Sequence, residues 1–259
     1  MGVLIMQHLF ELQNKVVLIT GSSHGLGFSL ARGLGQSGAT LVLNGRDEEK
    51  LENAVSNLSR EGQSAFGYAF DVTKEEEIQT SISLIEQEIG PIQILVNSAG
   101  IQKRGPLEQI EESVWREVID INLTGVFLAS KHVAQRMIVR KSGKIINICS
   151  LMSEFGRPTT GPYAASKGGV KMLTKAMAVE WAKYNIQVNG IGPGYFLTEM
   201  TRPLAEDPKF DAWIRSRTPA GRWGDPAELV GTAIYLASSA SDFVTGQIIY
   251  VDGGIFSAL

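Results

Sequence analysis

The sequence predicts an α/β fold: one domain built on a doubly wound sheet of seven parallel strands, with helices on both faces. Three observations carry that expectation. Short apolar runs alternate with longer amphipathic segments, the first run passes through a glycine-rich turn into a helical segment, and no Pro/Ser-rich linker, charge block or internal repeat divides the 259 residues. Length alone allows two small domains or one large core, and the unbroken alternation selects a single domain spanning 1–259.

Residues 1–13 are an N-terminal extension. The first strand is expected near 15–20, where Val16-Val-Leu-Ile19 is an apolar run too short for a helix. It leads into T-G-S-S-H-G-L-G, Thr20 to Gly27, and then into a helix near 25–37. In the order strand, glycine turn, helix, glycines let the backbone approach a pyrophosphate and the helix N-terminus offers free N–H donors. Gly21, Ser23, His24, Gly25, Leu26 and Gly27 are therefore candidate cofactor contacts in a Rossmann-type sheet.

A second strand near 40–44 ends at Asn44-Gly45-Arg46, and Asp47 opens a helix near 47–61. An acidic residue at that strand's end would accept from a ribose 2′-hydroxyl, whereas an arginine pairs with a 2′-phosphate. With Asp47 read as the helix cap, Asn44 and Arg46 favour NADP over NAD. The third strand, near 65–70, runs into Asp71-Val72-Thr73, which caps the helix near 74–89, contacts the cofactor, or does both. A fourth strand near 92–96 ends in Asn97-Ser98-Ala99-Gly100, and a helix near 112–140 carries Asn122. The fifth strand, near 143–149, delivers Ser150 ahead of a helix near 161–184, and the sixth, near 186–191, delivers Pro193-Gly194. A helix near 225–238 and a strand near 247–251 complete the set. Ligands bind such sheets beyond the carboxyl ends of the strands, and every motif named here sits at one of those ends.

Tyr163 and Lys167 stand four apart on one helix face. A free tyrosine titrates near ~10, too high for a base at neutral pH. A cation ~4 Å away at an effective dielectric of ~20 favours the phenolate by roughly 4 kcal/mol, about three pKa units. The expectation is a Tyr163 acid/base group with its pKa lowered by Lys167.

Composition narrows the classes. A net charge of −3 gives no footprint for nucleic acid. Met1 to Met6 is apolar but too short for a signal peptide or a membrane span, so no membrane partner and a cytoplasmic location are expected. Cys149 is the only cysteine, and His8, His24 and His132 are scattered, so no metal site is expected.

The T-G-x-x-x-G-x-G turn, Asp71-Val72, the N-S-A-G at Asn97, Asn122, Ser150, Tyr163 with Lys167, and Pro193-Gly194 together resemble the short-chain dehydrogenase/reductase family over about Asn14 to Gly254. The resemblance implies that Asp71 and Val72 hold the adenine, that Asn97, Ala99 and Gly100 line the cofactor, and that Lys167 also binds the nicotinamide ribose. Tyr163, Pro193, Gly194, Phe196 and Thr198 then complete the cofactor set. Ser150 would hydrogen-bond the substrate oxygen, Tyr163 exchange its proton, and Asn122 hold a water near the lysine; from the residues alone Asn122 reads equally as a buried amide at a helix kink. The family usually has N-N-A-G, so Ser98 is a departure that bears on one strand contact and not on catalysis. The end, Val251 to Leu259, is strongly apolar, which points to a partner; in the family such ends join a tetramer interface, so the resemblance implies a homotetramer.

For the substrate, Arg104 follows the fourth strand, and Met152 and Glu154 follow Ser150. These three are expected at the pocket with Ser150 and Tyr163, while Lys103 and Arg157 read as solvated rim. An unpaired carboxylate disfavours a fatty acyl chain, whereas a polyhydroxylated acid offers hydroxyls to Glu154 and a carboxylate to Arg104. The wording of Ile146 to Glu154, Asn189 to Met200 and Arg217 to Gly224 resembles a sugar-acid branch of the family, which implies interconversion of D-gluconate and 5-keto-D-gluconate. Residues 195–223 would form a closing lid, in which Phe196 and Trp213 either exclude water or simply pack under a surface loop. The alternatives are a 3-oxoacyl-carrier-protein reductase with the same proton relay and, from another class, a non-catalytic nucleotide-binding regulator.

Overall fold

The computed structural model of the chain describes residues 9–258. Its strands are β1 (Val16–Thr20), β2 (Thr40–Gly45), β3 (Ala65–Ala69), β4 (Ile92–Asn97), β5 (Gly143–Ile148), β6 (Ile186–Pro193) and β7 (Ile248–Val251). They form one parallel sheet in the order β3-β2-β1-β4-β5-β6-β7. The order reverses between β1 and β4, whose last residues Thr20 and Asn97 lie in register. That switch point is where a doubly wound sheet opens a crevice.

Helices α1 (Gly25–Gln36), α2 (Glu48–Arg60), α3 (Glu75–Glu88), α4 (Glu112–Ile119), α5 (Gly125–Arg140) and α6 (Gly161–Trp181) follow the first five strands. After β6 come α7 (Arg202–Ala205), α8 (Pro208–Arg217) and α9 (Val230–Ala237). Successive strand residues point to opposite faces, so each strand feeds two cores. Val17, Ile19, Leu41 and Leu43 pack with Leu30 and Leu34 of α1, Leu51 and Leu58 of α2 and Leu236 of α9. Leu18, Val42 and Leu95 pack on the other side with Ile78 and Ile82 of α3 and Val133 and Met137 of α5. With side chains buried on both faces, the sheet fixes its strand ends rigidly, and those ends carry the site.

Three elements differ from the sequence expectation. The segment near 112–140 is two helices joined by a π turn at Asp120–Thr124, with Asn122 fully buried inside it. Residues 195–223 contain α7 and α8 in addition to irregular chain; Asp207 caps α8 by accepting from Lys209 N at 3.0 Å, with Pro208 at its first position, a start signal legible in the sequence. The N-terminal extension is not wholly outside the body. Leu12 is fully buried, and Leu9 O accepts from Ala240 N at 3.2 Å. Residues 1–8 of the extension and Leu259 lie outside the described residues.

Candidate active site

The glycine turn is shaped for close approach. Gly21 adopts φ +62°, and a Cβ there would sit 2.6 Å from Ala99 Cα. A Cβ on Gly27 would sit 2.3 Å from Gly21 O, so only hydrogen lets α1 start against the turn. His24, the N-cap of α1, makes no side-chain cap, and no acidic residue occupies the first turn. The N–H groups of that turn are left for an anion, which is the donor set a dinucleotide pyrophosphate requires.

From this turn a crevice of about 810 Å³ runs across the strand ends to Tyr163. Gly21, Ser23, His24, Gly25, Leu26, Gly27, Asn44, Arg46, Asp71, Val72, Ala99, Gly100, Ser150, Tyr163, Lys167, Pro193, Gly194, Phe196 and Thr198 all line it. The sequence reading missed other lining residues. Lys50, one helical turn beyond Arg46, places a second cation at the end of β2, and Glu199 and Met200 close the far wall.

The end of β2 bears on the cofactor. Asn44 is buried, with its amide donating to Phe70 O at 3.0 Å and Tyr68 O at 3.2 Å and its Oδ1 accepting from Gly21 N at 3.3 Å. It positions the turn. Asp47 caps α2, accepting from Lys50 N at 3.1 Å. Arg46 is exposed and lies 3.7 Å from Asp71, whose Oδ1 also accepts from Thr73 N and Thr73 Oγ1 at 2.9 Å. Asp71 therefore shapes the loop into α3 while it lines the crevice.

At the other end, Ser150 adopts extended backbone after β5, and its hydroxyl accepts from Met152 N at 3.1 Å and lies near enough to Tyr163 to favour the phenolate. Lys167 is buried, donates to Ile148 O at 2.6 Å and lies 5.8 Å from the centre of the Tyr163 ring. The two side chains do share a face, but the expected depression of the tyrosine is overturned. Burial raises the Tyr163 pKa, and the groups that pull it back are the Ser150 hydroxyl and, at longer range, Arg104. Lys167 faces the Ile148 carbonyl, and desolvation lowers its own pKa to about 8. Tyr163 is only half-buried, so solvent in the crevice softens the penalty on its anion. Cys149 is buried beside this pair with its thiol pushed up to about 11, which makes it an inert core residue.

Four side chains expected at the site are engaged elsewhere. Asn97 is buried away from the crevice, donating to Asn147 Oδ1 at 2.8 Å and Ser130 Oγ at 2.9 Å; it ties β4 to β5. Asn122 donates to Ile101 O at 2.9 Å and Ser166 Oγ at 3.1 Å and accepts from Ile101 N at 2.8 Å, so its side-chain amide anchors the chain after β4. Glu154 pairs with Lys171 and accepts from Tyr250 OH at 2.8 Å, on the surface beyond the pocket. Met152 meets Thr160 Oγ1 at 3.8 Å and is not part of the lining. Ser98, the departure from the usual motif, keeps its strand contact through the backbone: its N–H donates to Thr20 Oγ1 at 3.1 Å.

Arg104, expected at the pocket, is not among the residues that line the crevice; burial lowers its pKa, and it is close enough to Arg157, Tyr195 and Tyr163 to feel their charge. Arg157, read as rim, instead donates to Tyr195 OH at 3.2 Å and stacks 4.9 Å over Phe210. Lys103 pairs with Glu117.

A family model of the short-chain alcohol-dehydrogenase type, described as enoyl-(acyl carrier protein) reductase, matches residues 21–256. The chain belongs to the short-chain dehydrogenase/reductase family. It is thus an oxidoreductase of an NAD(P)-dependent family. Among relatives in this family, a 2-dehydro-3-deoxy-D-gluconate 5-dehydrogenase of Formosa agariphila is 55% identical over 97% of this chain and 96% of its own length. A 5-keto-D-gluconate 5-reductase of Escherichia coli K12 is 54% identical over 98% of this chain and all of its own. A crystal structure of a gluconate 5-dehydrogenase from Burkholderia cenocepacia J2315, in complex with NADP and tartrate, superimposes with a TM-score of 0.96 at 50% identity, covering 98% of this chain and 100% of that one. Among the described residues no helix is long and apolar enough to cross a membrane.

Proposed function

We propose that the chain interconverts D-gluconate and 5-keto-D-gluconate with NADP(H). The observation that carries this reading is one crevice that runs from the glycine turn to Ser150, Tyr163 and Lys167, with the Arg104 guanidinium within charge range of that tyrosine. A cation held there suits an anionic substrate. Relatives named for gluconate and ketogluconate chemistry agree with it.

When bound, the nicotinamide dinucleotide gives hydride to the ketone carbon or takes it from the alcohol. The glycine turn and the α1 N-terminus hold its pyrophosphate, and Arg46 with Lys50 receives a 2′-phosphate. No free carboxylate stands at the end of β2 to accept from a ribose hydroxyl, because Asp47 is the cap of α2. Ser150 orients the substrate oxygen. Tyr163, protonated at neutral pH, donates its proton to the oxygen as the carbon gains hydride, and Ser150 and Arg104 stabilise the phenolate that remains. Lys167, poised near pH 8, returns a proton to it. In the oxidation direction each transfer is reversed. Asn122 acts by fixing Ile101 and Ser166 around Lys167. Segment 195–223 serves as the lid, and a homotetramer in the cytoplasm is the expected working form.

The test compares NADPH oxidation with 5-keto-D-gluconate and with an acetoacetyl thioester. A higher kcat/KM for the thioester overturns the sugar-acid reading in favour of the acyl-carrier alternative. Arg46→Ala should weaken NADPH binding about 10- to 100-fold and NADH binding little. Equal effects would remove the basis for NADP preference.

A further inference from the structure

Ser153 takes no part in the proton relay, yet its hydroxyl bridges two residues that do. It closes the single turn of 3-10 helix, Leu151–Ser153, that Ser150 caps after β5. Its Oγ accepts from Ser150 N at 3.2 Å and donates to the main-chain oxygen of Lys167, in α6, at 2.9 Å. Chemistry fixes the direction of both bonds: a carbonyl only accepts and an amide N–H only donates, so the one Ser153 proton goes to Lys167 O and a lone pair is left for Ser150 N. A helix carbonyl has two lone pairs, and Lys167 O takes this bond without surrendering its place in α6. Lys167 is therefore held at both ends. Its Nζ donates to Ile148 O at 2.6 Å, at the last residue of β5, and its carbonyl is tied to the turn. Ser150 lies on the stretch of chain between those two ties, so the ring closed by Ile148, Ser153 and Lys167 sets how far Ser150 stands from α6. Tyr163 is on the same helix, about one turn before Lys167.

We infer that Ser153 is a positioning residue for the reaction: it holds Ser150 against α6 so that the Ser150 hydroxyl meets the Tyr163 hydroxyl and the substrate oxygen together. In an ordinary capping box the third residue reaches back to the N–H of the cap and stops there. Here the same hydroxyl also crosses to another element, a bond that a local cap does not require. The side chain of Ser150 is aimed within the turn as well, accepting from Met152 N at 3.1 Å, so its main chain and its hydroxyl are both fixed before a ligand arrives. The Ser150 hydroxyl opposes the rise that burial imposes on the Tyr163 pKa, and a displaced Ser150 leaves that pKa higher. The inference rests on the Ser150–Tyr163 relay and not on which carbonyl compound is reduced.

The experiment uses Ser153→Ala, Ser153→Thr, Ser150→Ala and the double variant Ser150→Ala with Ser153→Ala in the full chain, with thermal unfolding to confirm folding. Turnover, KM and the NADPH dissociation constant are measured with 5-keto-D-gluconate, or with the acetoacetyl thioester where that is the better substrate, so failure of the sugar-acid reading leaves this test intact. Ser153→Ala should lower kcat about 10- to 100-fold, the effect of a misplacement of about 1 Å, while KM and NADPH affinity change less than about twofold. Its pH–rate profile for oxidation of the corresponding alcohol should move to higher pH, because Tyr163 acts there as a base and must first lose its proton. Ser153→Thr keeps the hydroxyl and should hold kcat within about threefold of the wild type. In the Ser150→Ala background, removing the Ser153 hydroxyl should cost less than about a further twofold, since its effect passes through Ser150. Losses that add in the double variant, or a Ser153→Ala chain whose Tm falls while kcat and the pH profile stay unchanged, overturn the inference and make Ser153 a cap of its own turn.

Discussion

The two halves of the crevice are built differently. The cofactor half is made of strand ends and backbone: the Gly21–Gly27 turn, Asn44 bonded to three main-chain groups, and Asp71 turned back on Thr73. The half around Tyr163 is lined by residues of three excursions, after β4, β5 and β6. A site built from backbone tolerates little change of shape, whereas one built from side chains is retuned by single substitutions. The same sheet therefore fixes how the cofactor sits and leaves open what it reacts with.

The largest effect should appear where the halves join. Tyr163→Phe removes the proton and leaves the cavity shape, so kcat should fall about 10²- to 10⁴-fold with NADPH affinity nearly unchanged, as measured by steady-state kinetics and fluorescence titration. A comparable loss of NADPH affinity would mean that the two halves are not separable.

Next is the pH dependence of stability. The Lys167 pKa is about 8 in the folded chain and 10.5 in the unfolded one. Between those values the unfolded state holds a proton that the native state has released, so the group's contribution makes stability rise with pH across about 8 to 10.5. Below that window the buried ammonium is a constant cost of up to roughly 3 kcal/mol. Urea titrations should show the wild-type curve gaining on that of Lys167→Met over this range. Parallel curves would mean the ammonium is better solvated than its burial implies.

On the cofactor side, Gly27→Ala forces a Cβ to 2.3 Å from Gly21 O. Overpacking of this kind costs about 1–3 kcal/mol, so NADPH should bind about 10- to 100-fold more weakly. Retention of affinity would show that the backbone half is softer than described. The smallest effect belongs to Glu154→Gln, which disturbs the contacts with Lys171 and Tyr250 outside the crevice. Its kcat/KM should stay within about twofold, in keeping with the modest worth of surface pairs. A large loss would return Glu154 to the pocket.

The same contrast explains what the sequence disclosed. Every strand and the glycine turn were legible, because two-sided burial demands apolar runs and close approach demands glycine at Gly21 and Gly27. Ser150, Tyr163 and Lys167 were legible through spacing and family resemblance. The destination of a charged side chain was not. Glu154 and Arg157 lie three apart on one loop, and only the fold decides that Glu154 meets Lys171 while Arg157 meets Tyr195. The tyrosine pKa failed for a related reason: i, i+4 spacing places Lys167 beside the ring but says nothing of the Ile148 carbonyl that captures its ammonium. The π turn at Asn122 left no clear periodic signature, since its one inserted residue displaces a hydrophobic stripe by a single position.

Where the excursion after β6 leaves and rejoins the body, it is stapled shut: Phe196 bridges Gly224, Leu197 N donates to Gly224 O at 3.0 Å and Gly224 N donates to Tyr195 O at 2.9 Å. With its two ends joined, whatever lies between can lengthen, shorten or be exchanged without dragging on the sheet. That makes it a cassette, and grafting it between relatives is a direct route to moving substrate choice from one scaffold to another.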